Sequence, residues 1–476
     1  MYFFDLGGVI VRMASIIGLF AVYISYIVYA SPFAATWDEV DFALALERYD
    51  LLAMQPHFPG YPYFIFGGML IHSFVANPAK ALAIWNGLLM ISTSIPIYLL
   101  AKTFVEKKYA WVVTALVQSL SYVMLIVSQP MSEGSALAVL WWYVWSLQRA
   151  LHSDRIDMQL LPLWLFSVML GIRLSYIPFG IGILYVWWKR AYRFKTLLLY
   201  SFVAVAFQFI WIMAVATTEG KGFGSWLFHL QQDILRNGGG TVSTDEAPFW
   251  QRAIVLIFYN IIWTGMAKQS IWLLSCFIIL LAMTWKQIAI PPLYRLLLLT
   301  YFLWALFAQN IEKPRHILPI VVIVSFFLFV SALQSSSRLR LTAAFVLLLS
   351  QTVIGTQAIK HQVTQLPATY QLAYDFEQKE KPFVLFTWEE TRVLEYLRVS
   401  FPHGRVFSFD VFEREKATFP HAKVYVTDHV IKGFQAQGID VRPYIRSVRT
   451  YESSLLSDPV YGRITVYEWR EEEKRE

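Results

Sequence analysis

A polytopic helical membrane protein of about eleven transmembrane helices, followed by a small C-terminal α/β domain, is the fold class this sequence predicts. Three observations predict it. Of 476 residues, 57% are hydrophobic, 17% aromatic and only 15% charged, which is too apolar for a soluble globular chain of this size. Apolar stretches of about 17–25 residues, the length that crosses a bilayer core, recur from Val9 to about Ile359. Beyond that point the composition turns ordinary, so residues 1–359 are expected to form the membrane domain and 360–476 a soluble one.

The elements follow in order. The first span, about Val9–Ala30, has only Arg12 as a flanking cation and no convincing small-residue cleavage site, so it is expected to be a retained helix. Basic connections then set the sidedness. The N-terminus and the loops Lys102–Lys108, Arg149–Arg155, Lys189–Lys195, Lys286–Tyr294 and Ser335–Arg340 are expected in the cytoplasm. Outside are Ser31–Pro78, Ser128–Glu133, the turn at Arg173, Thr218–Ala267, Asn310–His316 and everything beyond Ile359. The protein is thus a multi-pass membrane protein in contact with lipid, and its formal charge of +7 is a positive-inside signature rather than a nucleic-acid surface.

Tyr63–Val75 is too short to span and carries Gly67, Gly68 and His72; it is expected to lie in the outer interface, as are Phe223–Leu235 and Trp250–Ile262. Phe249, Trp250, Tyr259 and Trp263 have the character of interfacial anchors. In the tail, Phe383–Phe386, Val406–Phe409, Lys423–Thr427 and Arg463–Trp469 read as strands. Trp388–Val399 reads as a helix, with Thr387 and Glu390 spaced as a capping box. Strands alternating with helices imply a mostly parallel sheet, with His403-Gly404-Arg405 an isolated turn and no Gly-rich phosphate loop. The one cysteine, Cys276, excludes an intramolecular disulfide and a thiolate zinc site.

The residues that could carry chemistry cluster in the outer loops. Thr36-Trp37-Asp38-Glu39 follows the first span directly, and a carboxylate at a helix mouth is expensive to desolvate. Asp38 there could act as a base or as the N-cap of a helix starting near Val40. Asp41, Glu47 and Asp50 read as a solvated helix face. Gln55-Pro56-His57-Phe58-Pro59-Gly60-Tyr61-Pro62 imposes a rigid nonhelical path that either holds His57 and Tyr61 against a ligand or forms a hinge. Glu133 opens a span, where it or Ser132 could serve as a cap. Arg173 and Glu312-Lys313-Pro314-Arg315-His316 are cations placed outside against the charge trend. They call for an anionic partner: a phosphate or pyrophosphate, the carboxylates Asp38, Glu39 or Glu133, or lipid headgroups.

These motifs, in this order and sidedness, resemble the GT-C membrane glycosyltransferases, nearest to the group of the protein O-mannosyltransferases and the lipid A aminoarabinose transferase. The resemblance covers roughly residues 9–358. It implies an inverting transfer on the outer face from a polyprenyl-phosphate sugar to an acceptor that is a protein, lipid or glycan. Asp38 would be the base, with Glu39 and Glu133 as auxiliary acids. Arg315 and His316 would hold the donor phosphate, and Arg173 and Lys313 share their outer, cationic character. His57 and Tyr61 are the candidate substrate contacts. No organic cofactor is implied; a divalent metal ion is compatible with the class, and Asp38 and Glu133 would then be its ligands. A transporter or a lipid-linked substrate-binding protein would also gather charges near membrane helices, but a transporter would place them near the midplane.

Overall fold

The computed structural model describes residues 6–218, 224, 227, 247–335, 337–380 and 382–470. It divides into two compact units: Met1–Pro32 with Phe42–Lys360, and Phe33–Asp41 with His361–Glu476.

In the first unit, the opening helix Leu6–Val28 shows how the sequence meets lipid. Ile10, Met13, Ile17, Phe20 and Ile24 recur every three or four residues and all stand exposed, whereas Ser15, Leu19, Val22 and Tyr26 keep the same spacing and are buried. An outward apolar stripe of this length is stable with hydrocarbon as the solvent. The buried hydroxyls of Ser15 and Ser25 donate back to Val11 O and Ala21 O. Among the described residues five helices are long and apolar enough to cross a membrane: Gly7–Val28, Pro78–Ala101, Phe194–Thr218, Pro314–Leu333 and the one that begins at Arg338. The segment Leu318–Leu333 within the fourth is apolar all round and buried along its length, as a central helix should be.

Among the described residues two further helix pairs are apolar enough only when taken together, and each is sharply bent. Lys107–Gln118 and Ser121–Val127 meet at 59°, and Phe249–Met266 and Ile271–Gln287 at 104°. At the first break two side chains are tied to the helix Arg338–Thr364: Ser119 Oγ donates to Gln351 Oε1 (3.0 Å), and Ser121 Oγ to Gln351 O (2.9 Å). Beside it Gln118 Nε2 donates to Met90 O, Thr93 Oγ1 and Ser94 Oγ. The expected interfacial segment near Tyr63 is the helix Pro62–His72, 11 residues long. At 1.5 Å per residue it reaches about 16 Å, half a bilayer core. Trp250–Ile262 is not a separate interfacial helix: it runs through Phe249–Ile254 into the π-helical Val255–Met266, one arm of the second bent pair. Phe223–Leu235 lies outside the described residues save for Gly224 and Leu227.

The second unit is built on a five-stranded sheet of β1 (Phe383–Thr387), β2 (His403–Arg405), β3 (Lys423–Thr427), β4 (Ile445–Glu452) and β5 (Arg463–Trp469), ordered β2-β1-β3-β5-β4. Both faces are covered. Phe383, Leu385 and Tyr425 pack with Leu372, Phe376 and Leu394 on one side. Val384, Phe386, Val424 and Val426 pack with Phe412, Val430 and Phe434 on the other, the alternation that a strand imposes.

The sheet is mixed rather than mostly parallel. β1 pairs in parallel with β2 and β3, but β5 runs antiparallel to both β3 and β4. β4 escapes a sequence reading because Arg446, Ser447, Val448, Arg449 and Thr450 are all exposed, leaving no apolar face to betray it. The expected strand Val406–Phe409 is displaced: His403–Arg405 pairs with β1 instead, and Phe409 opens a helix, Phe409–Ala417, capped by Ser408. The helix expected over Trp388–Val399 is Glu390–Leu397. Its anticipated Thr387–Glu390 capping box does not form: Glu390 Oε2 accepts from Trp388 N at 2.9 Å instead. Thr387 Oγ1 is buried without a hydrogen bond among the described residues.

Candidate active site

In the membrane unit Arg173 and Arg315 meet on Glu133, with His316 beside Arg173. Glu133 lies in the first turn of the helix Ser132–Leu151 and is 1% exposed. The loop before it is fastened by Asn86, whose Nδ2 donates to Gln129 O and Met131 O and whose Oδ1 accepts from Ser135 Oγ. Gly134 permits this approach, since a Cβ there would stand 2.9 Å from Asn86 Cγ.

Two guanidiniums flank the carboxylate: Arg315 Nε at 2.7 Å and Arg173 Nη2 at 3.1 Å, both from Oε1. Arg173 ends the helix Ile156–Ile172, donates through Nη1 to Ser132 Oγ (2.9 Å), and lies 3.1 Å from His316 Nδ1. Glu133 is therefore an ion-pair partner and not a helix cap, and Ser132 faces Arg173 rather than the helix N-terminus. Of the companions open to Arg173 in the sequence, Glu133 is one that the structure supplies.

Arg315 and His316 sit in the 3-10 turn Pro314–Ile317. The turn and the chain leading into it are gripped by side chains that the sequence did not mark. Tyr301 OH donates to His316 O (2.9 Å), Asn260 Nδ2 to Ile311 O (2.8 Å), and the buried Arg252 to Leu306 O (3.1 Å) and Gln309 O (3.2 Å). Beside this turn opens a cavity of about 230 Å³ lined by Gln251, Arg252, Tyr259, Asn260, Ile311 and Glu312 among others. Asn260 Oδ1 is buried there without a hydrogen-bond partner among the described residues. A lone arginine in an aromatic run was the only signal for Arg252. Lys313 is half-buried at the head of the turn, its backbone N–H bonded to Asn310 O.

The proline-rich segment brings His57 and Tyr61 together: His57 Nε2 is 3.0 Å from Tyr61 OH, and both rings lie against the buried Phe42. Gly60 (φ +97°) is required twice over, by its left-handed backbone and because a Cβ would collide with Tyr49 OH, which donates to Gly60 O. Tyr61 and Arg173 interact electrostatically, so this segment belongs to the same neighbourhood.

Asp38 and Glu39 lie in the first turn of the helix Trp37–Ala45, on the stretch Phe33–Asp41 that groups with the C-terminal unit. Asp38 is half-buried. It is not the cap. Thr36 and Glu39 form a reciprocal capping box, Thr36 Oγ1 accepting from Glu39 N (3.4 Å) and Glu39 Oε2 accepting from Thr36 N (3.1 Å) and Ala35 N (2.8 Å). Glu39 is thereby buried and engaged in shaping the helix start.

Asp41 does not belong to a solvated face. It is fully buried, its Oδ1 accepting from Arg392 Nε at 2.8 Å. Asp50 instead caps the short turn Leu51–Ala53, and Glu47 is exposed. Among the described residues no cluster of three or more His, Cys, Asp or Glu side chains is grouped as a metal site would need. Glu133, one of the two acids considered as metal ligands, already faces two guanidiniums, an environment that repels a divalent cation.

The bundle of broken and continuous apolar helices with a small mixed α/β unit is a fold that this chain shares with solved membrane-protein structures. Its fold is similar to that of ArnT from Cupriavidus metallidurans in the apo state (10% identity, TM-score 0.55). It is also similar to the same protein bound to undecaprenyl phosphate (10% identity, TM-score 0.54). Both likenesses cover 95% of this chain and 97% of the other. No family model and no curated protein sequence matches the chain.

Proposed function

We propose that this protein is a membrane glycosyltransferase that moves a sugar from a polyprenyl-phosphate donor to an acceptor on the outer face of the membrane, with inversion and with Asp38 as general base. The observation that carries the proposal is the gathering of Arg173, from one element, and Arg315 and His316, from another, around the buried carboxylate of Glu133. Two guanidiniums against one carboxylate leave positive charge in excess, which suits a departing phosphate. Arg252 and its cavity add a further cation beside the same turn. These groups stand at the ends of apolar helices rather than within them, which favours a transferase at the rim over a transporter.

In the step itself, Asp38 takes the proton of an acceptor hydroxyl as that oxygen attacks the anomeric carbon. The bond from that carbon to the phosphate oxygen breaks, and the lipid phosphate leaves with the electron pair into the field of Arg315, Arg173 and His316. A single displacement of this kind inverts the anomeric centre. His57 and Tyr61, hydrogen-bonded to each other, are assigned to substrate contact, with Lys313 at the edge of the phosphate region. Undecaprenyl phosphate, which the fold neighbour binds, is the first carrier to test. Residues 1–359 would be the catalytic domain and 360–476 an extracytoplasmic one.

The experiment is incubation of the purified full chain with a panel of radiolabelled polyprenyl-phosphate sugars, following which lipid is consumed. Asp38→Asn is expected to bind undecaprenyl phosphate as the parent does and to lose transfer by at least a hundredfold. Undiminished turnover by that variant would remove Asp38 as the base.

A further inference from the structure

Within the C-terminal unit, the residues on either side of Asp38 are held by cations of the α/β sheet layer. On one side stands Trp37. Arg405, at the end of β2, lies 4.7 Å over the Trp37 ring and 4.6 Å over Trp388, so its guanidinium is sandwiched between two indoles; Arg392 lies 5.6 Å from Trp37 as well. On the other side stands Asp41, three residues on and so nearly one helical turn from Asp38. A fully buried carboxylate is costly unless paired, and Arg392, on the helix Glu390–Leu397, pairs with it. The strand of chain leading in is tied down too: Tyr370 OH accepts from Ala34 N (3.2 Å), and Thr369 Oγ1 donates to Ala35 O (3.2 Å).

We infer that Arg392 and Arg405 are positioning residues for Asp38, and that the α/β unit contributes to transfer by fixing the helix turn that carries the base. Neither arginine touches a reacting atom in this account. Each acts through a neighbour of Asp38, Arg392 through Asp41 and Trp37, Arg405 through Trp37. The inference rests on the assignment of Asp38 as base. A displacement of a reacting group by about 1 Å can lower a rate by up to a hundredfold without changing ground-state binding, so the signature is a fall in kcat at constant KM.

The test uses the full chain with the polyprenyl-phosphate sugar that supports turnover in the donor panel, and titrates undecaprenyl phosphate separately as a binding probe. Arg405 is exposed, so Arg405→Gln should fold with the parent's Tm. Its kcat is expected to drop about five- to tenfold with donor KM and undecaprenyl phosphate affinity unchanged. Arg405→Lys, which keeps a cation between the rings, should recover most of the loss. Arg392→Met should lower kcat at least tenfold, and Arg392→Lys should fall between it and the parent, because an ammonium pairs with Asp41 without stacking on Trp37. If Arg392→Met is too unstable to assay, Arg405→Gln and its lysine rescue decide the matter alone. Parent-like kcat in a folded Arg405→Gln, or KM and affinity worsening together with kcat, would overturn the inference. Asp38→Asn separates the two levels: its turnover removes the base assignment, whereas a dead Asp38→Asn beside a fully active Arg405→Gln removes only the positioning role.

Discussion

At the scale of single residues, Glu133 decides how the cationic cluster behaves. It lies between Arg173 and Arg315, and its loss would leave both guanidiniums without that partner in a region each exposes only slightly. Removing one member of such a buried pair costs about 3–5 kcal/mol, so Glu133→Gln should lower Tm measurably. If the arginines also serve a phosphate, removing their competing carboxylate should not weaken undecaprenyl phosphate binding. Arg315→Ala, by contrast, should weaken it about tenfold or more, the size of a charge-assisted contact. Isothermal titration of the three proteins would show it; equal losses in both variants would mean that the cluster holds helices together and nothing else. The sequence marked these residues by a single anomaly, cations in loops expected outside against the charge trend, and the structure brings Arg173, Arg315 and His316 together. The sequence could not tell a phosphate from Glu133 as their companion, because that depends on which helix ends meet. The capping box at Thr36 and Glu39 escaped the sequence reading, because the same four residues present an acid at a helix mouth and that signal pointed to Asp38 as the cap.

At the scale of elements, the helices Glu390–Leu397 and Asp428–Ala436 are joined by a buried polar contact whose strength depends on pH. His429 Nδ1 lies 2.6 Å from Glu390 Oε1, with Asp428 at 3.7 Å, Lys432 nearby and Tyr461 OH donating to Glu389 beside it. Burial pushes the His429 imidazole down, but the hydrogen bond and charge of Glu390, with Asp428, outweigh it and hold the imidazole above its usual value. A proton held more tightly in the folded state than in the unfolded one stabilises the fold fully below the unfolded value of about 6.5. That contribution is lost as pH rises through the raised folded value. Thermal unfolding of the full chain should therefore show Tm falling as pH rises from about 6 past neutrality. In His429→Gln this slope should be flattened; an unchanged slope would assign the dependence to other groups. No sequence signal pointed here, since Glu390 and His429 are 39 residues apart and meet only because β1 and β3 are neighbours in the sheet. The strands with an apolar face could be read from composition, whereas β4, exposed along most of its length, could not.

At the scale of the whole molecule, the apolar spans were legible because the bilayer imposes a length and a composition at once, and the opening helix even shows its lipid-facing stripe in residue spacing. The bent helix pairs were less so, because the partner that the first break meets, Gln351, lies far off in the sequence. Orientation rests on loop charge alone: Lys102, Lys107 and Lys108 on one side, the tail on the other. The single cysteine makes this directly measurable. Cys276→Ser supplies a cysteine-free background, into which Thr103→Cys and Ala417→Cys, both at exposed positions, can be placed one at a time. In intact cells a membrane-impermeant maleimide should label Ala417→Cys and spare Thr103→Cys until the membrane is opened. The reverse pattern would put the tail, and with it Asp38 and the arginines that flank its helix turn, on the cytoplasmic face. Labelling of both in sealed cells would mean that the number of crossings between the two positions is even, which would reopen the count at the bent pair Phe249–Met266 and Ile271–Gln287.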